Sequence, residues 1–231
     1  MHNELTEKKG DFGIMNLTEL TDLIKSRRSI RAWTDQPVAE EKLLQAIGLA
    51  TYAPNAGNQQ NWHFYLIMNR DTIGAIADAV QESADCIAAW PEAGKMGEAA
   101  NRMLKGAARF RGAPAGIAVA VKQYQSPIDQ VLQLRGKTDP QARRMRRWRS
   151  SADSKIQSIS SAIAYLLLVL HQMGFGGLWM TGPLQAKGDI EKILKVPADM
   201  DVAAYIAVGY AAENPPLRER KPVQEVITVI R

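Results

Sequence analysis

Cysteine is nearly absent from this chain. The single thiol, Cys86, excludes an intrachain disulfide and any multi-cysteine metal site, and it suits a reducing compartment. No neighbour in the sequence would activate it, so it is expected to be packed or idle. Histidine is almost as scarce. His2, His63 and His171 lack metal-ligand spacing and are expected at surface or packed positions. Long apolar runs are missing too. The longest, Ile163 to Leu170, falls far short of the ~20 residues that span a bilayer. Residues 1–15 lack the apolar core of a signal peptide, which predicts a loose tail and a cytoplasmic protein. There is no Gly/Ser-rich or Pro-rich linker, no repeat, no P-loop and no G-x-S-x-G elbow. Gly174-Phe175-Gly176-Gly177 opens a dinucleotide-binding pattern, but Trp179 stands where its third glycine belongs, and the segment follows a helix.

What is present reads as one globular domain over 16–231, with 46% hydrophobic residues and a net charge of +5 that suits anionic small molecules. Leu17 to Ser26 is predicted helical, with Asn16 and Glu19 forming a capping box and Leu17, Leu20 and Ile24 on one face. Glu40 to Tyr52 and Thr72 to Cys86 are predicted helices. Trp62 to Met68, Ala115 to Val121 and Val202 to Val208 are predicted strands. The clearest helix is expected from about Ala152 to Met173, where Ile156, Ile159, Ile163, Leu166 and Leu170 repeat at helical spacing and Ser158, Ser161 and Ala162 leave room for a close neighbour. Gly174 ends it. Ile190 to Leu194 is a short helix, and Val223 to Ile230 is a C-terminal strand or extended arm. Few strands between long helices, without βαβ alternation, argue for an α+β fold with one central sheet.

Two segments carry the chemistry. Arg27-Arg28-Ser29-Ile30-Arg31 gathers three guanidinium groups and a hydroxyl at a helix end, with Ile30 pinning the segment to a core. A basic helix end can simply offset the macrodipole, but Arg is also suited to bidentate contact with phosphate. Ala53 to Trp62 is a polar loop running into an aromatic strand. Its Asn, Gln and Gly residues tolerate left-handed backbone and offer amide donors and acceptors. Four amides in succession, Asn58 to Asn61, are costly to leave idle beside a buried Trp62. A second basic pair, Arg218 and Arg220, lies near the C-terminus. Together these features read as a site for an anionic, planar cofactor. The densest basic run, Arg143 to Arg149 with Trp148 inside it, reads as a solvated face or a lid over the cofactor pocket. Within 123–151 it could also form an insert that contacts nucleic acid.

These residues resemble the FMN-dependent nitroreductase family. The likeness rests on Arg27, Ser29 and Arg31; on Ala53, Pro54, Asn58, Gln60 and Trp62; on the turn Gly174 to Gly182; and on Gly209, Tyr210, Arg218, Arg220 and Pro222. It implies a nitroreductase-like fold, with a mostly antiparallel sheet flanked by helices. It also implies an intertwined homodimer with two FMN molecules in the interface. Arg27, Arg28, Ser29, Arg218 and Arg220 would hold the phosphate, and Arg31 would face the pyrimidine edge. Pro54, Asn55, Ala56 and Asn58 would belong to the loop that reaches the partner's flavin, and Thr181 and Gly182 would present backbone donors to the ring. The long helix would form much of the dimer interface, and the C-terminal arm would wrap the other protomer. Asn55 stands where serine is usual and Asn61 where proline is, both in the loop that shapes the pocket.

The resulting expectation is an NAD(P)H-dependent FMN oxidoreductase that reduces nitroaromatics, quinones or similar small acceptors by a ping-pong mechanism, with no dedicated catalytic acid or base and no metal. Two rivals accompany it. One is a flavin-cleaving or dehalogenating branch of the same superfamily. The other is a nucleic-acid-binding protein that uses Arg143 to Arg149.

Overall fold

Ala115 to Val121 is buried at every position, the pattern of a strand covered on both faces. In the computed structural model, which describes residues 16–122 and 126–231, this segment lies inside a four-stranded antiparallel sheet. The strands are β1 (Trp62–Ile67), β2 (Ala115–Lys122), β3 (Gly176–Met180) and β4 (Met200–Gly209), in spatial order β1-β2-β4-β3. The tail expected over 1–15 and the start of the 123–151 insert lie outside the described residues.

The alternation of side chains assigns each face to its own core. Ile117, Val119 and Val121 of β2 point to one side with Trp62, where they meet α2 (Glu40–Ala50) and α7 (Ser154–Gln172). Ala118 and Ala120 point to the other, against α3 (Arg70–Ala89) and α8 (Lys187–Leu194). In β4 the pairing register shifts, so that Val119 faces Ala204 while Ala120 faces Val202. Ala203 is the extra residue, and this bulge reverses the strand's parity: Val202 belongs to the same core as Tyr205 and Ala207, not as Ala204.

The first helix, α1 (Leu17–Ser26), carries the expected capping box. Asn16 Oδ1 accepts from Glu19 N–H at 2.9 Å, and Glu19 accepts from Asn16 N–H at 3.2 Å. Its apolar face nonetheless buries nothing: Leu17, Leu20 and Ile24 are all exposed. The long helix starts later than its periodicity suggested. Asp153 adopts left-handed backbone (φ 39°) and separates α7 from α6 (Pro140–Ala152). Its carboxylate then caps α7 by accepting from Ile156 N–H at 3.3 Å. Ile156, in the first turn of α7, is exposed, while Ile159, Ile163, Leu166 and Leu170 are buried as expected. Gly174 (φ 83°) ends the helix. The C-terminal segment forms no strand. Past a short turn at Val223–Glu225 it runs fully exposed, so the arm and not the strand is what forms.

Pro127–Arg135 and Pro140–Ala152 are helical, joined by a short turn. α5 (Pro127–Arg135) and α6 fold on each other as a hairpin clipped by Arg149, whose Nε donates to Asp129 at 2.6 Å. That bond and the Ser126 hydroxyl hold the Asp129 carboxyl well below the usual carboxylate range. The Arg143 to Arg149 run lies on α6, with Arg144 stacked over Trp148 at 5.4 Å.

Beside β3 the basic segment docks as an extra extended stretch. Ser29 bridges Gly177 in parallel, Ile30 N–H donates to Gly177 C=O at 3.2 Å, and Trp33 Nε1–H donates to Gly176 C=O at 3.0 Å. A Cβ on Gly176 would lie 2.6 Å from Ile30 Cγ1, so only glycine lets Ile30 close down on the strand. Gly176→Ala is therefore expected to destabilise the fold by about 1–3 kcal/mol, the usual cost of overpacking a filled contact. The midpoint of urea unfolding checks this, and an unchanged midpoint would contradict the packing described.

Candidate functional site

The site is built outward from that docking. Ile30 is buried and fixes the backbone, and its neighbours project from the sheet edge. Glu213 accepts from the backbone N–H groups of Arg31 and of Ala32, the latter at 3.1 Å. The chain past β4 is stitched on by Thr34 N–H to Tyr210 C=O at 2.9 Å and Ala212 N–H to Ala32 C=O at 2.9 Å. The N-terminal basic segment and the C-terminal segment thus run side by side.

This brings three guanidinium groups and an imidazole together. Arg27 is half-buried, and its pKa is lowered first by burial, then by Arg28 and by Arg220. Among the described residues no acceptor or carboxylate is bonded to its guanidinium. His171, near the end of α7, is lowered by burial and then by Arg27 and Arg28, and its Nε2 sits 2.8 Å from Ser26 Oγ. Arg28 turns back on α1, donating to Lys25 C=O at 2.7 Å and Arg27 C=O at 2.6 Å, and so caps the helix. Ser29 is half-buried beside it. Arg220 belongs to the cluster by its effect on Arg27, whereas Arg218 is exposed on the same arm.

A cleft of about 580 Å³ opens beside Arg31, further along β3. Arg31, Leu178, Trp179 and Met180 line one side. Ala99, Arg102 and Met103 of α4 (Gly97–Lys105), with Gly106, Ala107 and Arg109, line the other. Thr181 and Gly182 follow directly from β3 at its rim and are exposed. No residue of α5 or α6 lines the cleft, so within one chain the basic hairpin does not cover it.

The amide loop lies elsewhere. Ala56 N–H donates to Ser158 Oγ at 3.1 Å, and Ser161 Oγ donates to Pro54 C=O at 2.6 Å, so the first half of α7 holds the loop. The small residues of that helix accommodate this loop of the same chain. Asn55 accepts from Gln60 N–H at 2.9 Å, while Gly57, Asn58 and Gln60 all have left-handed backbone. Asn61 donates to Lys122 C=O at 2.8 Å, extending the β1–β2 pairing. Ser158 and His171 mark the two clusters on one helix. At about 1.5 Å rise per residue they lie about 20 Å apart. One chain therefore brings Arg27, Arg28 and Arg220 together and sets Ser29 and Arg31 along β3, the strand that leads into Thr181 and Gly182, but keeps Pro54, Asn55, Ala56 and Asn58 apart from the His171 end of α7.

His171, Glu213 and the α4 wall were not read from the sequence as site residues. His171 carried no motif, and the wall assembles only in three dimensions. Cys86 is exposed on α3 and stands outside the site.

The Nitroreductase family model matches residues 24–210. A protein from Methanothermobacter thermautotrophicus, provisionally named NADH dehydrogenase/NAD(P)H nitroreductase, is 26% identical over 210 residues, covering 90% of this chain and 85% of that protein. The 5,6-dimethylbenzimidazole synthase of Rhodospirillum rubrum is 26% identical over 200 residues, covering 87% and 85%. Among solved structures, a BluB-like flavoprotein from Clostridium difficile superposes with a TM-score of 0.80 at 29% identity, over 92% of this chain and 99% of that one.

The charge cluster makes a titration prediction. His171 should titrate below its ordinary value of 6.5, and either Arg27→Ala or added inorganic phosphate should raise it. Because the folded value is the lower one, the unfolded chain takes up the proton first. Stability should then fall as pH drops below about 6.5 and level off below the folded value. NMR titration of the imidazole checks the shift, and no response to phosphate would count against an anion site.

Proposed function

The chain belongs to the nitroreductase family, and from that premise we propose that it is an FMN-dependent oxidoreductase using NAD(P)H to reduce a small electrophilic acceptor. The observation that carries this reading is Arg27: a half-buried guanidinium with no acceptor among the described residues, crowded by Arg28, Arg220 and His171. Charge of one sign gathered this way is stabilised by a phosphate dianion, so the donor set fits the FMN phosphate. When bound, FMN would supply two-electron exchange at N5, taking hydride from the nicotinamide and returning it to the acceptor in a ping-pong cycle. For a nitroarene the balance is ArNO2 + NAD(P)H + H+ → ArNO + NAD(P)+ + H2O.

The chain's own residues would bind and orient. Arg27, Arg28, Ser29, Arg218 and Arg220 would hold the phosphate, with Arg28 also closing α1. Arg31, in the cleft beside Trp179 and Met180, would place a cation at the pyrimidine edge, where negative charge on a reduced ring is stabilised. Thr181 and Gly182 would offer backbone donors from the rim. Leu178 and Trp179 would exclude water from one side of the cleft. No side chain is assigned as acid or base, and protons would come from solvent.

Pro54, Asn55, Ala56 and Asn58 can join such a site only from a second copy, because about 20 Å of α7 separates them from the basic cluster. Leu17 and Ile24 on α1, Tyr165 on α7, and Val226 and Ile230 on the arm are large apolar side chains left in water by one chain. A twofold dimer that buries them, with the arm crossing to its partner, accounts for both observations.

A second reading rests on the likeness to the dimethylbenzimidazole synthase and the BluB-like flavoprotein. In this reading the bound flavin is itself the substrate and is consumed under oxygen.

The purified protein is expected to be a yellow dimer whose flavin absorbance bleaches anaerobically with NADH or NADPH and recovers with a nitroarene or quinone. Sedimentation and absorbance spectra check this. A monomer that binds no FMN would end the reading. Loss of flavin on re-oxidation in air, with formation of 5,6-dimethylbenzimidazole, would favour the second. Arg27→Ala should weaken FMN binding about 10- to 100-fold, the value of one or two charge-assisted hydrogen bonds, as measured by equilibrium fluorescence.

A further inference from the structure

The α4 side of the cleft has a chemistry that cofactor binding leaves unused. Met103 and Ala99 present apolar surface, and Arg102 and Arg109 flank it. Among the described residues no aspartate or glutamate lines the cleft. Arg102 pairs with Glu98 at 3.2 Å, but both side chains are largely exposed, and such a pair yields readily to a competing anion. Arg109 is held by backbone. Its Nε donates to Gly106 C=O at 3.1 Å, and its guanidinium lies over Gly106, where a Cβ would overlap it. Among the described residues no carboxylate pairs with Arg109. Across the cleft, Trp179 and Met180 complete an apolar slot that suits an aromatic ring.

We propose that this wall selects the acceptor: an electrophilic arene carrying an anionic group, its ring between Met103 and Trp179 and its anion on Arg109 and Arg102. The proposal rests on the oxidoreductase reading above and adds Arg109 as a specificity-determining residue. A carboxylate, sulfonate or phosphate ester on the ring would gain charge-assisted hydrogen bonds that a neutral analogue lacks, and the cationic cleft would favour its encounter. The 2′-phosphate of NADPH carries similar chemistry, but the slot's apolar lining suits an arene better than a ribose.

The test compares 4-nitrobenzoate with its neutral methyl ester on the FMN-loaded dimer, with NADH and with NADPH. The wild-type protein should prefer 4-nitrobenzoate. Arg109→Ala should lower kcat/KM for it about tenfold, mostly through KM, and leave the ester unchanged. Gly106→Ala keeps every charge but displaces the guanidinium, and should shift the ratio the same way by less. Calorimetric binding of 4-nitrobenzoate, weaker in Arg109→Ala, reads the wall without turnover. Equal use of acid and ester, a ratio unmoved by either variant, or an effect confined to NADPH against NADH would overturn the proposal. Protein that takes up no added FMN yet still binds 4-nitrobenzoate through Arg109 would instead end the oxidoreductase reading and leave the wall in place.

Discussion

The hydrogen bond from Ile30 N–H to Gly177 C=O is the contact on which the rest of the site depends. It fixes a short extended segment to the free edge of β3 and thereby decides where three arginines project. The absence of a side chain at Gly176 allows that approach, and Trp33 reinforces it from the other side. Glu213 then ties the C-terminal segment to the same backbone. The basic segment and the chain past β4, remote in sequence, run together here because the sheet order leaves β3 outermost.

The cost of this arrangement is electrostatic. Burial disfavours the charge on Arg27 and on His171, and neighbouring cations add to it: Arg28 and Arg220 at Arg27, Arg27 and Arg28 at His171. A fold optimised for stability alone would place a carboxylate among them. Glu213 is close, but it is spent on backbone amides. The strain is local and would be relieved by an anionic ligand, which is how binding energy and folding energy come to share one set of residues.

Much of the scaffold was legible in the sequence because it rests on local rules. The Asn16–Glu19 box, the Gly174 stop and the apolar run of β2 each follow from neighbours a few residues apart. α7 begins at Ser154, two residues past the expected start, because Asp153 leaves helical geometry and caps the new helix, a break that the hydrophobic period does not report. The basic segment and the amide loop were visible as motifs. Their separation along α7 was not, since it depends on which end of a helix each one touches. Arg102 and Arg109 left no trace in the pattern. They share a cleft with Arg31 only through the packing of α4 near β3, and no spacing rule reports a tertiary contact.

The bulge at Ala203 has a consequence for how the sheet assembles. Both faces of β4 are covered, so slipping the strand by one residue would turn Tyr205 and Ile206 toward the wrong cores. A two-residue slip would restore the faces in a regular strand. Here it would carry the irregular step past Val119, its fixed counterpart on β2. The extra alanine thus acts as a notch that admits a single alignment of the two central strands, and deleting it would cost the protein its means of telling that alignment from its neighbours.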